Sequence, residues 1–306
     1  MSLRAMTHRS LRLLDTPYRS MNNPGWSRFQ LADQAGGRVF ANKGERGGNM
    51  PRLATIVIYP VKSLDGVVVD EARVLPSGAL EHDRQFALVD DRGKWVNGKR
   101  TPRIHSLRSA IDAAARTIHL AAEGTKRKFH IDADRQALEE WLSNFFGLRV
   151  RLEENASNGF PDDTAAPGPT VISTATLAEV ATWFGGLVLD DVRGRFRANL
   201  EIEGVESFWE DRLYGEEAEA VRFRIGDVLL EGTNPCQRCV VPTRSPQSGE
   251  RYDDFTVIFE KQRYETLPYW ATRSRFDHFY RLAVNTRPVG GSAGVIRVGD
   301  EVMIVN

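Results

Sequence analysis

The chain has 306 residues, and its 41 basic residues are balanced by 41 acidic ones. No global field therefore draws it to nucleic acid or to a membrane surface, and partners have to be recognised locally. Six tryptophans, fifteen phenylalanines and a 41% hydrophobic content supply one large or two ordinary packed domains, no apolar run approaches the ~20 residues that cross a bilayer, and two cysteines speak against a secreted disulfide scaffold. The cytoplasm is the expected compartment.

Residues 1–49 hold few acids, several arginines and serines, and a glycine-rich end, Lys43-Gly44-Glu45-Arg46-Gly47-Gly48-Asn49. They carry neither strand nor helix periodicity, which predicts a disordered extension. A start codon assigned too early explains it, and so does a targeting segment of similar composition.

From Met50 the chain reads mostly as strands with two helices. Leu53 to Tyr59 and Gly66 to Leu75 are β-rich, and Phe86 to Val96 is a hairpin turning at Gly93. Short strands at this spacing predict a barrel or sandwich. Asp134 caps a first helix whose Leu138, Trp141, Leu142, Phe145 and Phe146 share one face, with Gly147 as terminator. A second helix follows Ser173 and presents Leu177, Val180, Ala181 and Phe184 before Gly185-Gly186. Between them Glu154 to Pro169 is polar and proline-bearing, a candidate domain boundary. In Arg195 to Ile202, strand alternation predicts Phe196, Ala198, Leu200 and Ile202 on a packed face and Arg195, Arg197 and Asn199 on a face able to bind an anion; a solvated face explains the same pattern. Arg224 to Leu229 and Arg297 to Val302 each place Gly-Asp inside an extended segment, which predicts two similar hairpins.

Both cysteines lie in Asn234-Pro235-Cys236-Gln237-Arg238-Cys239-Val240-Val241-Pro242. Thiolate is the form that attacks or ligates, and Arg238 between the sulfurs favours it. Four readings stay open. A zinc knuckle lacks a second ligand pair nearby; a redox dithiol wants a helix after it, whereas Val240 to Pro242 reads as an extended run. Two packed thiols suit an apolar site, which the flanking arginines argue against. The fourth is a single thiolate bound to a soft metal that arrives with a cofactor. Gly290-Gly291-Ser292-Ala293-Gly294 matches a nucleophile elbow but leads into a strand and has no histidine after it, so a hydrolase is rejected. The six histidines show no metal-ligand spacing, and His82, beside Asp83 and Arg84, is the one to watch.

Four motifs, in order, carry a resemblance. They are Ile58-Tyr59-Pro60-Val61-Lys62-Ser63-Leu64 with His82-Asp83-Arg84-Gln85; Phe196-Arg197-Ala198-Asn199 with Phe208-Trp209-Glu210-Asp211; the cysteine run; and Val295-Ile296-Arg297-Val298-Gly299-Asp300. Together they resemble the MOSC family of molybdenum-cofactor proteins over roughly Pro51 to Asn306. The resemblance implies a mainly β (α+β) fold, with a smaller barrel-like N-terminal domain over 50–155, a MOSC β-barrel over 165–306, and a few helices. It implies that Cys239 ligates molybdenum, as the catalytic and metal-binding residue, and that Lys62, Ser63, Arg84, Arg197 and Asn199 hold the Mo-molybdopterin cofactor. The implied activity is reduction of N-hydroxylated compounds (hydroxylamines, amidoximes or N-hydroxylated bases), with electrons from a separate flavin or iron-sulfur reductase or a cytochrome. A cofactor or sulfur carrier without turnover is the alternative. Where the family usually shows Asp-Pro after the cysteines, this chain has Ser245-Pro246, which puts the rate or the substrate in doubt.

Overall fold

A computed structural model describes residues 50–305, together with the backbone of a two-residue strand β1 (Arg19–Ser20). The expected disorder of the rest of residues 1–49 lies outside the described residues. Strands dominate. In chain order they are β2 (Arg52–Ile58), β3 (Val67–Val69), β4 (Glu71–Val74), β5 (Phe86–Asp90), β6 (Arg108–Asp112), β7 (Thr117–Ala122), β8 (Thr125–His130), β9 (Val150–Glu154), β10 (Val171–Ser173), β11 (Leu200–Glu203), β12 (Val221–Ile225), β13 (Val228–Gln237), β14 (Arg281–Pro288), β15 (Gly294–Arg297) and β16 (Val302–Val305).

Nine of them form one sheet in the order β1-β3-β2-β11-β10-β14-β13-β12-β16. Only β10 and β11 run parallel, Val171 opposite Leu200. The sheet is not a closed barrel, yet its far end returns to β2: Leu53 N donates to Asp300 O at 2.8 Å and Val302 N to Pro51 O at 2.8 Å. Strands from both halves of the chain thus share one sheet, since β2 pairs with β11 and β4 with β15. The three-stranded sheet β6-β7-β8 and the pair β5-β9 complete the first half.

Four α-helices are present among the described residues, two more than the periodicity predicts: α1 (Arg135–Phe146), α2 (Thr174–Thr182), α3 (Leu189–Phe196) and α4 (Phe255–Glu265). The first two form as expected. Gly147 ends α1 in the left-handed region at φ 68, where a residue without Cβ is unstrained, and the Ser173 hydroxyl accepts from Thr176 N at the start of α2. Helix α3 corrects the expected strand. Residues 195–196 close a helix whose first turn carries Asp190 and Asp191 and whose last carries Arg193 and Arg195, charges that complement the helix dipole; the strand begins only at Leu200. Helix α4 buries Phe255, Phe259 and Arg263, one residue per turn.

Two further expectations change. Gly226 does turn the β12-β13 hairpin, but Gly299-Asp300 joins β15, which pairs with β4, to β16, which pairs with β12, so the second segment is a corner between sheets. Val241–Thr243 is a 3-10 turn rather than an extended run. The main core joins both halves, from Leu53 and Ile56 to Phe223 and Leu230. A second, aromatic cluster packs α2, α3 and α4 around Phe184, Phe196, Phe255 and Phe259, with the Phe184 and Phe255 rings stacked at 4.3 Å. No helix of the described residues is long and apolar enough to cross a membrane.

Candidate active site

The turns after β2 and before β5, the end of α3, the connection from β9 to β10 and the cysteine segment meet around a cleft of about 710 Å3. All six residues nominated from the sequence, Lys62, Ser63, Arg84, Arg197, Asn199 and Cys239, line it, and so does Cys236. His82 is not among the lining residues; its Nδ1 lies 2.8 Å from Gln85 Oε1.

The backbone at three of these positions adopts a conformation that side chains disfavour. Ser63 (φ 72), Arg84 (φ 49) and Arg197 (φ 53) all sit in the left-handed region, where a non-glycine residue persists only if its surroundings hold it. Each is held. Leu64 N donates to Val61 O at 3.0 Å across Ser63, Arg84 N donates to Tyr59 O at 2.8 Å, and Arg197 N, capping α3, donates to Arg193 O at 2.8 Å. Arg84 pairs with Asp83, and its Nη1 also reaches Asn199 Oδ1 at 3.4 Å.

Asn199 is almost wholly buried. Its Nδ2 donates to Val57 O at 3.0 Å, and its Oδ1 accepts from Thr170 N at 3.2 Å. Its side chain joins β2 to the start of β10 and steadies Arg84. Lys62 Nζ donates to Phe160 O and to Asp162 Oδ1, both at 2.8 Å, tying the β9-β10 connection to the cleft wall. Burial pushes the Lys62 ammonium below its usual range, against the opposing pull of Asp162. Burial also lowers the pKa of Arg197, and the like charge of Arg84 nearby adds to it.

The cysteines are half-buried and unbridged. Cys236 is the penultimate residue of β13 and accepts from Arg238 Nη1 at 3.2 Å; Cys239 lies just before the 3-10 turn and accepts from Val241 N at 3.5 Å. Two arginines then clamp this segment to α3 reciprocally: Arg238 Nη2 donates to Phe196 O at 2.5 Å, and Arg195 Nη1 donates to Pro242 O at 2.9 Å.

The charge balance of the wall departs from that of the chain. Lys62, Arg84, Lys99, Arg108, Arg195, Arg197, Arg238, Arg244 and Arg281 face four acids, Asp65, Asp83, Asp162 and Asp163. Several wall residues hold buried donor atoms without a protein acceptor, among them Nε of Arg108, Arg195, Arg238 and Arg244. A buried N–H donor without an acceptor is costly unless a ligand meets it. Sequence reasoning missed Arg108, Arg244 and His105, which chain position alone does not connect to the cysteines. His105 is buried, and burial, with Arg197, Arg244 and Arg108 nearby, lowers its pKa to about 4, so its ring is neutral at pH 7.

This donor set fits a phosphate-bearing, hydrogen-bonding cofactor with a soft metal. Guanidinium forks match phosphate oxygens, and a thiolate suits a soft transition metal.

Residues 50–188 match the MOSC N-terminal beta barrel domain and residues 169–303 match the MOSC domain. Among curated proteins, the human mitochondrial amidoxime-reducing component 1 is 26% identical over 301 residues, covering 83% of this chain and 82% of its own length; its Xenopus laevis counterpart is 25% identical over 296 residues, covering 82% and 81%. The molybdenum cofactor sulfurase of Drosophila mojavensis is 29% identical over 231 residues, 66% of this chain, which spans only 29% of that protein's length. With both domains present in order, the chain belongs to the MOSC family of proteins related to the molybdenum cofactor.

Proposed function

We propose that this protein is a molybdenum-cofactor oxidoreductase that reduces N-hydroxylated compounds in the cleft described above. The observation that carries the proposal is the meeting of Cys239 with a wall of cationic donors in one cleft. Alignment over four-fifths of the amidoxime-reducing components supports the reaction class. When bound, the cofactor would supply two-electron oxygen-atom exchange at molybdenum, so that an N-hydroxy compound, two electrons and two protons give an amine and water.

The chain's own residues would bind and orient. Lys62, Arg84 and Arg197 meet the anionic end of the cofactor, and Ser63 adds a hydroxyl beside them. Cys239 supplies one sulfur ligand to the metal. Among the described residues no group of three or more His, Cys, Asp or Glu side chains could hold a metal ion, so the remaining ligands would arrive with the cofactor. The Arg195 and Arg238 clamp fixes the cysteine turn against α3, which carries Arg197 at its end. The electrons come from a separate donor protein.

The sulfurase relatives favour a second reading, in which the domain binds or delivers the cofactor without turnover. Protein purified from a cofactor-competent host distinguishes the two. Stoichiometric molybdenum and pterin, with reduction of an N-hydroxy substrate by reduced methyl viologen, supports the oxidoreductase; metal without reduction supports the carrier; absence of metal overturns both. Cys239→Ala abolishes metal retention, while Cys236→Ala only weakens it; equal loss in both points to a dithiol site instead.

A further inference from the structure

Next to the cleft, two tight turns present a row of cations. Asp90 Oδ1 accepts from Arg92 N at 3.0 Å and from Lys94 N at 2.8 Å, shaping the turn after β5. Asn97 Oδ1 accepts from Lys99 N at 3.1 Å and from Arg100 N at 3.2 Å, shaping the next. The backbone is thereby fixed while Arg92, Lys94, Lys99 and Arg100 stand exposed.

Some exposed arginines elsewhere find carboxylates, as in the pairs Arg73 with Glu81 and Arg297 with Glu71, while others, such as Arg127 and Arg149, stand without an ion pair among the described residues. None of the four cations of the row has an ion-pair partner among the described residues. Of the two neighbouring acids, Asp90 has its carboxylate turned to backbone N–H groups, which with Arg100 and Lys94 nearby hold it below the usual carboxylate range, and Asp91 stands exposed beside Arg92. Within the row stands Trp95, 37% exposed, its ring edge-on to Phe160 at 5.2 Å. Phe160 is the residue whose carbonyl holds Lys62, and Asn97, Gly98 and Lys99 line the cleft, so the row is its lip.

An exposed tryptophan flanked by arginines supplies the residue types that dominate binding at protein interfaces, and the surrounding positive charge raises the rate of encounter with an acidic partner. The lip is built of turns rather than an amphipathic helix, which fits a protein partner better than a lipid surface. Reduction of an N–O bond requires two electrons, and a chain with two cysteines cannot house an iron-sulfur cluster of its own.

We propose that the lip of Arg92, Lys94, Trp95, Lys99 and Arg100 docks an acidic electron-carrier protein that delivers electrons to the cleft. This rests on the oxidoreductase reading and names the partner of that same site. Charge complementarity selects the partner, and the contiguity of lip and cleft gives it a short path to the bound cofactor.

The test uses the cofactor-loaded full chain and a triple variant, Arg92→Glu, Lys94→Glu and Arg100→Glu, none of which lines the cleft. Binding of an acidic flavodoxin and an acidic plant-type ferredoxin is measured by surface plasmon resonance, and turnover is driven either by those carriers in reduced form or by reduced methyl viologen. The unaltered protein is expected to bind a carrier, with affinity falling about tenfold or more in the variant and falling as salt rises. Carrier-driven kcat/KM drops in parallel, while viologen-driven turnover stays within about twofold. The proposal is overturned if neither carrier binds, if charge reversal leaves binding unchanged, if both donors lose activity alike, or if anionic vesicles or duplex DNA bind the lip more tightly than either carrier. Failure of the unaltered protein to turn over with viologen sinks the oxidoreductase reading instead, and the binding measurement still decides the docking surface.

Discussion

Arg197 holds its guanidinium over the ring of Tyr59, with Cζ 4.0 Å from the ring centroid, and donates from Nη2 to Leu64 O at 2.6 Å. Arg84 approaches the same ring at 5.3 Å, and the phenol donates to Ala198 O at 3.3 Å. One buried aromatic ring just past the end of β2 thus brings together two cations that lie more than a hundred residues apart in sequence. Burial pushes the phenol pKa up to about 12, so it stays neutral and cannot pair ionically with either arginine.

Replacement of Tyr59 separates the ring from the hydroxyl. Tyr59→Phe loses one hydrogen bond and about 1 kcal/mol; Tyr59→Leu also loses the cation–π contact, a further loss of about 1–2 kcal/mol, and weakens binding of the anionic cofactor. Urea unfolding and cofactor titration check this, and equal effects of the two substitutions would remove the ring from the argument.

Glu210 accepts from Ser173 N at 3.2 Å and from Thr176 Oγ1 at 3.0 Å, and so anchors the start of α2. Burial, reinforced by Asp211, raises its pKa from 4.5 to about 7. The folded state therefore binds the extra proton between these values, and its stabilising effect is full below 4.5 and lost as pH rises through 7. Glu210→Gln should remove up to about 3 kcal/mol of that pH dependence, measured as unfolding free energy at several pH values. An unchanged slope would refute the assignment.

Asp211 and Arg263 form a buried ion pair, with the guanidinium between Phe208 (4.3 Å) and Phe276 (5.1 Å). Asp211→Ala leaves the cation buried without a partner. The expected cost is about 3–5 kcal/mol, a fall in Tm on the order of 10 °C. Asp211→Leu combined with Arg263→Met should recover most of it, and calorimetry of the single and double variants tests the expectation.

His105 follows the opposite sign. Its folded pKa of about 4 lies below the ordinary 6.5, so the stability it contributes is full above 6.5 and is lost as pH falls towards 4. Its ring resonances should not titrate between about pH 5.5 and pH 8 by NMR, and His105→Gln should flatten the acid side of the stability curve. Titration near 6.5 would show that the ring is open to water.

Much of this was readable in advance wherever a local pattern and the packed structure agree. The aromatic face of α1, its Gly147 stop and the Ser173 cap follow from neighbours three and four residues apart. The alternation of residues 195–202 misleads because Phe196 and Ala198 pack inward from the helix end and from the residue just past its Arg197 cap, where two-residue spacing does not mean a strand. Helix α4 was overlooked although Phe255 and Phe259 have helical spacing.

Order along the chain was enough to bring out the family motifs, and the resemblance they carry nominated six side chains, because motifs of a few neighbouring residues leave compact signatures. It could not show that Arg108, Arg195, Arg244 and His105 share their cleft, that two arginines clamp the cysteine turn to α3, or that Asn199 faces inward to steady Arg84. Those facts depend on the pairing of β2 with β11 and on the return of β16 to β2, contacts between residues far apart in sequence. Only the folded sheet decides which donor atoms are left without an acceptor, because a donor's cost is set by burial and by its neighbours rather than by its place in the chain.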